Sequence, residues 1–263
     1  MGKNNVSAIA IKSLLKLSSK VKVFGRIDST NSMAKLDATN GAGEGDLIVA
    51  LSQTGGRGRM GRSFYSPEES GIYFSIILRP KIKAEDISLI TPVAAVAVAA
   101  AAEKITKKSP KIKWVNDIFL NGKKICGILS EAAFNADGTA DYVVLGIGIN
   151  LTTPKNGYPE EIKNIAGSLF DDNESFDANA LIADIVNRFF ELYKDLKGEA
   201  AKEEYQKRMM LIGSTVNYTQ NKNEYSGTVE GIDERFRLVI KNALGEMIAL
   251  ESGEVTVGSG NIL

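Results

Sequence analysis

Leu47-Ile48-Val49-Ala50-Leu51, then Gly55-Gly56-Arg57-Gly58-Arg59-Met60-Gly61-Arg62, then Ile72-Tyr73-Phe74-Ser75-Ile76-Ile77-Leu78: two strand-like apolar runs enclose a loop of four glycines and three arginines. Glycine allows close approach of backbone N–H groups to a ligand, and arginine supplies a rigid fork of donors for carboxylate or phosphate. The loop is suited to an anion. Its letters fit the dinucleotide fingerprint (Gly56-x-Gly58-x-x-Gly61) and, with Arg62 in place of lysine, the P-loop. Both motifs need the loop to open a helix whose N-terminus receives phosphate. Here Ser63-Phe64-Tyr65-Ser66-Pro67 leads into another strand, so neither reading holds. A solvated Gly/Arg hairpin is the remaining alternative, and the rest of the chain decides against it.

Working outward, Val21-Lys22-Val23-Phe24 reads as a strand, and Asp28-Ser29-Thr30-Asn31 has the chemistry of a helix N-cap. Residues 6–18 read as a short helix. Thr91 can cap an alanine-rich buried helix over 92–107, with Pro92 at its first position. Residues 111–150 read as an antiparallel meander with Asn121-Gly122 as a type I′ turn. Residues 178–210 carry helical periodicity, and the tail from Gly213 is a run of short strands the size of a small β-barrel.

The meander places Lys113, Asn116 and Asp117 at one strand end, Lys124 near the next strand's start and Asn150 at the last strand's end. Simple alternation points Lys124, Cys126 and Ile128 to one face. A lysine beside Cys and Ile there needs a ligand or partner to offset its desolvation. Trp114 and Cys126 read as core residues.

Composition narrows the chemistry. The 263 residues contain no histidine and one cysteine, with 32 basic and 32 acidic side chains. Histidine-based general bases, Ser-His or Cys-His nucleophile pairs and histidine zinc sites are excluded. Positioning and electrostatic stabilisation by Lys, Arg, Asp, Glu, Asn and backbone groups remain. No signal-like segment is present, Val93–Ala102 is too short to span a bilayer, and one cysteine fits a reducing cytoplasm.

Several motifs together resemble the biotin protein ligases: Gly56-Arg57-Gly58-Arg59-Met60-Gly61-Arg62 with Phe64-Tyr65-Ser66-Pro67, Lys113-Trp114-Val115-Asn116-Asp117, Gly122-Lys123-Lys124-Ile125-Cys126-Gly127-Ile128-Leu129-Ser130-Glu131, and Gly146-Ile147-Gly148-Ile149-Asn150. The resemblance runs from about residue 20 onward. It implies an α/β (α+β) fold, with a mixed-sheet catalytic domain over 1–211 and an SH3-like barrel over 212–263. It implies that biotin and MgATP form biotinyl-5′-adenylate, which is then attacked by a lysine of a biotin carboxyl carrier protein. Carried onto this sequence, Ser29, Thr30, Asn31, Gln53, Arg57, Gly58, Arg59 and Lys124 would contact biotin or its adenylate. Arg62, Lys113 and Asn116 would serve the phosphates and metal, Asp117 the acceptor-lysine step, and Phe64 and Asn150 the nucleotide. ATP, Mg²⁺ and biotin would come and go, with no permanent cofactor and no fixed metal site in the protein. Val115 departs from the family's proline in the Lys-Trp-Pro-Asn-Asp motif while keeping its polar members. A homodimer and a monomer both remain open.

A lipoate or octanoate protein ligase is the nearest rival, though it would lack the Gly-Arg-Gly-Arg loop together with Lys-Trp-x-Asn-Asp. A non-catalytic biotin- or nucleotide-binding regulator is a rival of another class, against which intact Arg59, Asp117 and Lys124 speak. About 28 residues precede Ser29, too few for a winged helix, and the charge is balanced. No membrane contact and no specific DNA binding are expected. An electrophoretic assay with biotin and ATP present should show no sequence-specific shift at physiological salt, and a salt-resistant one would overturn this reading.

Overall fold

The apolar runs that flank the Gly/Arg loop form the centre of the molecule. The computed structural model describes residues 5–172, 174–220, 223–251 and 255–257. Strands β1 (Val21–Phe24), β2 (Leu47–Ala50), β3 (Gly71–Leu78), β4 (Lys111–Lys113), β5 (Asp117–Leu120), β6 (Lys123–Phe134) and β7 (Ala140–Asn150) make one sheet in the order β1-β2-β3-β7-β6-β5-β4. Only β1 and β2 run parallel, joined by a crossover through helix α2 (Thr30–Thr39). The other pairings are antiparallel, as the meander predicts.

Alternation divides the strands between two cores. Leu47, Val49, Phe74, Ile76, Leu145 and Ile147 face the core shared with helices α3 (Ile90–Thr106) and α4 (Ala178–Tyr193), and α1 (Ala8–Leu14) packs beside α4 and against β1. Ile48, Ile77 and Val144 face Ala34 and Ala38 of α2. With packing on both sides, β3 is buried throughout, which accounts for its hydrophobic sequence, broken only by Ser75. Helix α2 covers only part of its face, leaving β5, β6 and the end of β7 for the site.

Several boundaries differ from the sequence reading. The first helix is shorter than 6–18, and 178–210 is two helices, α4 and α5 (Glu199–Arg208), with Gly198 as N-cap of the second. Helix α3 begins two residues before Pro92, fed by a 3₁₀ turn over Ala84–Leu89, so Thr91 is not its cap. The Thr91 hydroxyl instead meets Ser130 Oγ at 2.7 Å. Pro92 is still in the first turn, where a missing N–H costs no intrahelical bond. With its lead-in, this helix is long and apolar enough to cross a membrane, contrary to expectation, but 72% of its most apolar window is buried inside the protein.

Strands β8 (Thr215–Gln220), β9 (Asn223–Ile232), β10 (Leu238–Asn242), β11 (Met247–Leu250) and β12 (Val255–Val257) form a second, antiparallel sheet in the order β11-β10-β9-β8-β12. The expected barrel tail beyond 257 lies outside the described residues. This sheet is anchored by Trp114, whose indole donates to the Phe236 carbonyl at 2.8 Å. Phe236 in turn meets Tyr205 of α5 edge-on, ring centroids 5.4 Å apart. Arg235 adds a 3.3 Å ion pair with the buried Asp86. Trp114→Phe deletes the pyrrole half of a buried indole and leaves a buried carbonyl unpaired, the latter alone costing about 1–3 kcal/mol. Urea unfolding checks this, and an unchanged midpoint would remove the indole bond as an anchor of the small sheet.

Candidate active site

The Gly/Arg loop folds back on itself as a hairpin, with Gly58 N–H donating to Arg62 O and Phe64 N–H to Gly56 O. A side chain on Gly56 would clash with Phe64 O at 2.4 Å, and one on Gly55 with Asp28 Oδ1 at 2.2 Å. These glycines therefore serve close packing of the loop on its own chain, and the Gly58 N–H is already engaged. Only a single 3₁₀ turn, Arg59–Gly61, interrupts the hairpin before β3, so no helix opens here. The loop reaches the meander through Arg59, which donates to Asn116 Oδ1 at 3.0 Å. Asn116 is itself held by two bonds to Ile128, its side-chain amide donating to Ile128 O and its backbone carbonyl accepting from Ile128 N–H.

Lys124 reaches the site because β6 does not alternate regularly. Ile118 pairs with Cys126 but Phe119 pairs with Lys124, so Ile125 is an extra residue, a bulge. Ile125 and Cys126 both enter the core. The bulge reverses the parity expected from sequence: Lys124 shares a face with Gly127, not with Cys126 and Ile128. A Cβ on Gly127 would lie 3.5 Å from Lys124 Cε. The ammonium pairs with Asp117 Oδ2 at 2.7 Å. The other oxygen, Asp117 Oδ1, is buried without a hydrogen-bond partner.

Together these elements enclose a cleft of about 330 Å³. Arg57, Arg59, Arg62, Lys113 and Lys124 line it, with Asp117 as the one carboxylate among the lining residues. Such a surplus of cations suits a polyanion. Gly58, Phe64 and Asn116 also line it, and Val255 of the small sheet contributes to the wall. The Trp114–Val115 peptide bond beside it is cis.

A smaller recess adjoins it, sharing Arg57 and Phe64 as walls and lined by Ser29, Thr30, Asn31 and Gln53. Ser29 caps α2 as read from sequence, its hydroxyl accepting from Ser32 N–H. Gln53 Oε1 accepts from Thr30 N–H at 2.8 Å and lies 3.1 Å from Thr30 Oγ1, while its amide donates to Ser66. The Phe64 ring lies over Gly127 and Gly148, which pair directly across β6 and β7. A Cβ on Gly148 would fall 2.7 Å from Phe64 Cε1, and one on Gly146 would strike Asn31. Glycine here makes the space that the recess occupies.

Asn150 lines neither cavity. Its amide donates to Lys124 O and Gly167 O, tying the Lys124 backbone to a strap whose Ile165 carbonyl accepts from Lys124 N–H. Sequence reading passed over Ser75, Glu131, Lys35 and Tyr205. Ser75 was accessible by alternation along β3, but the bulge at Ile125 hid the face of Glu131, and Lys35 and Tyr205 carry no local signal. Burial pushes the Tyr205 hydroxyl well above its usual range, with Asp117 opposing its ionisation and Arg59 favouring it. Burial likewise pushes the Cys126 thiol up, out of the range of a nucleophile.

Known proteins share this architecture. A model described as the biotin/lipoate A/B protein ligase family matches residues 23–150. The bifunctional ligase/repressor BirA of Bacillus subtilis is 36% identical over 83% of this chain and 68% of its own length. The biotin–[acetyl-CoA-carboxylase] ligase of Paracoccus denitrificans is 29% identical over 90% of this chain and all of its own. Among solved structures, the Aquifex aeolicus biotin protein ligase in complex with biotin and ATP superposes with a TM-score of 0.75 at 29% identity, covering 90% of this chain and 97% of that one. The mixed sheet, the Gly/Arg hairpin over its open face and the extent of these matches lead to one conclusion: the chain belongs to the biotin/lipoate A/B protein ligase family.

Proposed function

We propose that this protein activates biotin with ATP as biotinyl-5′-AMP and transfers the biotinyl group to a lysine of a biotin carboxyl carrier protein. The observation that carries this reading is the union of two unlike cavities: a cation-lined cleft joined to a neutral, amide- and hydroxyl-lined recess. The recess offers the donors and acceptors that a ureido ring needs, and the cleft offers the charge that an adenylating reaction needs.

In the first step a biotin carboxylate oxygen attacks the α-phosphorus of ATP and pyrophosphate leaves. Two anions must approach each other, and Arg57, Arg59, Lys113 and Lys124 lower their repulsion. Asn116 and Arg62 serve the phosphates, and Phe64 borders both ligands. Mg²⁺ would enter with the nucleotide and neutralise phosphate charge there. In the second step the acceptor amine attacks the acyl carbon and AMP leaves. Asp117, whose side chain lines the cleft, takes the proton the amine must lose. Asn150 acts through the backbone of Lys124. A histidine base is unnecessary because the mixed anhydride supplies the driving force.

Incubation with MgATP, labelled biotin and an apo carrier domain, with lipoate in parallel, tests the reading. Transfer of biotin and not lipoate supports it, and lipoate transfer would support the rival ligase. Lys124→Ala removes a cation and strands Asp117, so biotin-dependent pyrophosphate release should fall about 10²–10³-fold. Near-normal release by the folded variant would sink the assignment. Lys123→Ala, which loses only an exposed bond to Asn164 O, is the control.

Arg59→Gly breaks the loop's bond to Asn116 and adds backbone freedom. The loop should then retain the adenylate poorly while synthesis continues. The escaping acylating agent should label lysines of an unrelated albumin more strongly than wild type does. Equal labelling would remove Arg59 from retention.

A further inference from the structure

Beyond Gly127, β6 has β7 on one side and no partner from β5 on the other, and alternation carries Gly127, Leu129 and Glu131 along the face that bears the recess. Glu131 is the end of this series. One of its oxygens lies 2.5 Å from Lys35 Nζ and 3.9 Å from Arg57 NH1. The other accepts from Asn31 Nδ2 at 2.8 Å. Burial works to raise the carboxyl's pKa, but the hydrogen bonds from Lys35 and Asn31 and the charges of Lys35 and Arg57 hold it below the ordinary glutamate value. It is therefore ionised near neutral pH, and an ionised carboxylate can only accept hydrogen bonds.

That restriction propagates. The Asn31 amide must turn its NH₂ toward Glu131, which turns its oxygen toward Ser75. Ser75 Oγ lies 2.6 Å from Asn31 Oδ1 and 2.8 Å from Thr30 Oγ1. Its single proton is claimed by Asn31 Oδ1, which can only accept. The 2.8 Å contact is therefore a bond from the Thr30 hydroxyl to Ser75 Oγ, which leaves Gln53 Oε1, 3.1 Å from Thr30 Oγ1, to be held by Thr30 N–H. Thr30, Ser75, Asn31 and Glu131 thus form one chain of hydrogen bonds along the recess, each donating to the next, and its permanently acceptor-only end is Glu131.

We propose that Glu131 is a positioning residue for biotin: it sets the direction of the hydrogen-bond chain that lines the recess and stations Arg57 at the recess mouth. It does so without touching the reacting atoms. Lys35 keeps the carboxylate on this face and lies outside the chain. The inference takes its ligand from the biotin reading above, but it concerns binding and not turnover.

The test is biotin affinity by titration calorimetry alongside steady-state kinetics on the full-length protein. Glu131→Gln is nearly isosteric but can donate as well as accept, so the amides and hydroxyls lose their single direction. Biotin should bind about tenfold more weakly, as expected when a charge-assisted hydrogen bond becomes a neutral one. KM for biotin should rise similarly, while kcat at saturating biotin and KM for ATP stay within about twofold by the same reasoning. Glu131→Asp, still acceptor-only, should recover part of the affinity. Lys35→Met, assayed at mildly alkaline pH so that Glu131 stays ionised without the ammonium, separates this role from simple attachment of α2 to β6: it should lower the melting temperature and leave biotin affinity largely intact.

Unchanged affinity in a folded Glu131→Gln protein would overturn the proposal, as would a loss in Lys35→Met equal to that in Glu131→Gln. A wild-type protein that binds biotin but forms no adenylate would defeat the ligase reading, and Glu131→Gln would still decide this one. A wild type that binds no biotin would defeat both.

Discussion

A β-strand has two faces, and each residue of β6 must be spent on one of them. On one side lies the apolar core against α3 and α4, where a charge would be severely desolvated. On the other lies the open face where the cleft forms. The site depends on keeping these populations apart, and the pairing of β6 with β7 does so from Gly127 onward. At Lys124 regular alternation would fail, since it would turn an ammonium toward the core. The bulge at Ile125 reverses the parity and brings Lys124 to the cleft, 2.7 Å from Asp117. The same strand supplies glycine where Phe64 must approach and a carboxylate where Asn31 and Arg57 must be held.

Two carboxylates therefore hold cations of a site whose business is anions. Asp117 pairs with Lys124, and Glu131 stands near Arg57 while binding Lys35 closely. Side chains paired in this way lose conformational freedom during folding and not during ligand binding, which is the essence of preorganisation. The arrangement also fits the absence of histidine from the chain. Adenylation and acyl transfer from an anhydride require charge neutralisation and alignment, and arginine, lysine and asparagine supply both.

The small sheet is joined to this machinery through the motif that carries Lys113, Asn116 and Asp117. Trp114, in the middle of that motif, donates to Phe236 O, and Phe236 packs on Tyr205 behind Asp117 and Arg59. Val255 contributes directly to the cleft wall. The geometry of the cleft and the seating of the second sheet are thus parts of one packing arrangement, with a shared hydrophobic core.

The sequence by itself determined what depends on neighbours along the chain. A Gly/Arg loop between two strands excluded the nucleotide folds that need a following helix, Asn121-Gly122 fixed a hairpin, and Ser29 capped α2. The ordered motifs pointed to the family and to the residues around the cleft. Only the tertiary structure decided what depends on distant partners: the bulge that redirects Lys124, the strap that engages Asn150, and the 3₁₀ turn that starts α3 before Thr91. The pairing of Lys35 with Glu131 spans 96 residues and that of Trp114 with Phe236 spans 122. Periodicity and turn chemistry report a residue's own backbone, whereas a bulge or a buried polar chain is set by which strands and helices come to lie beside it.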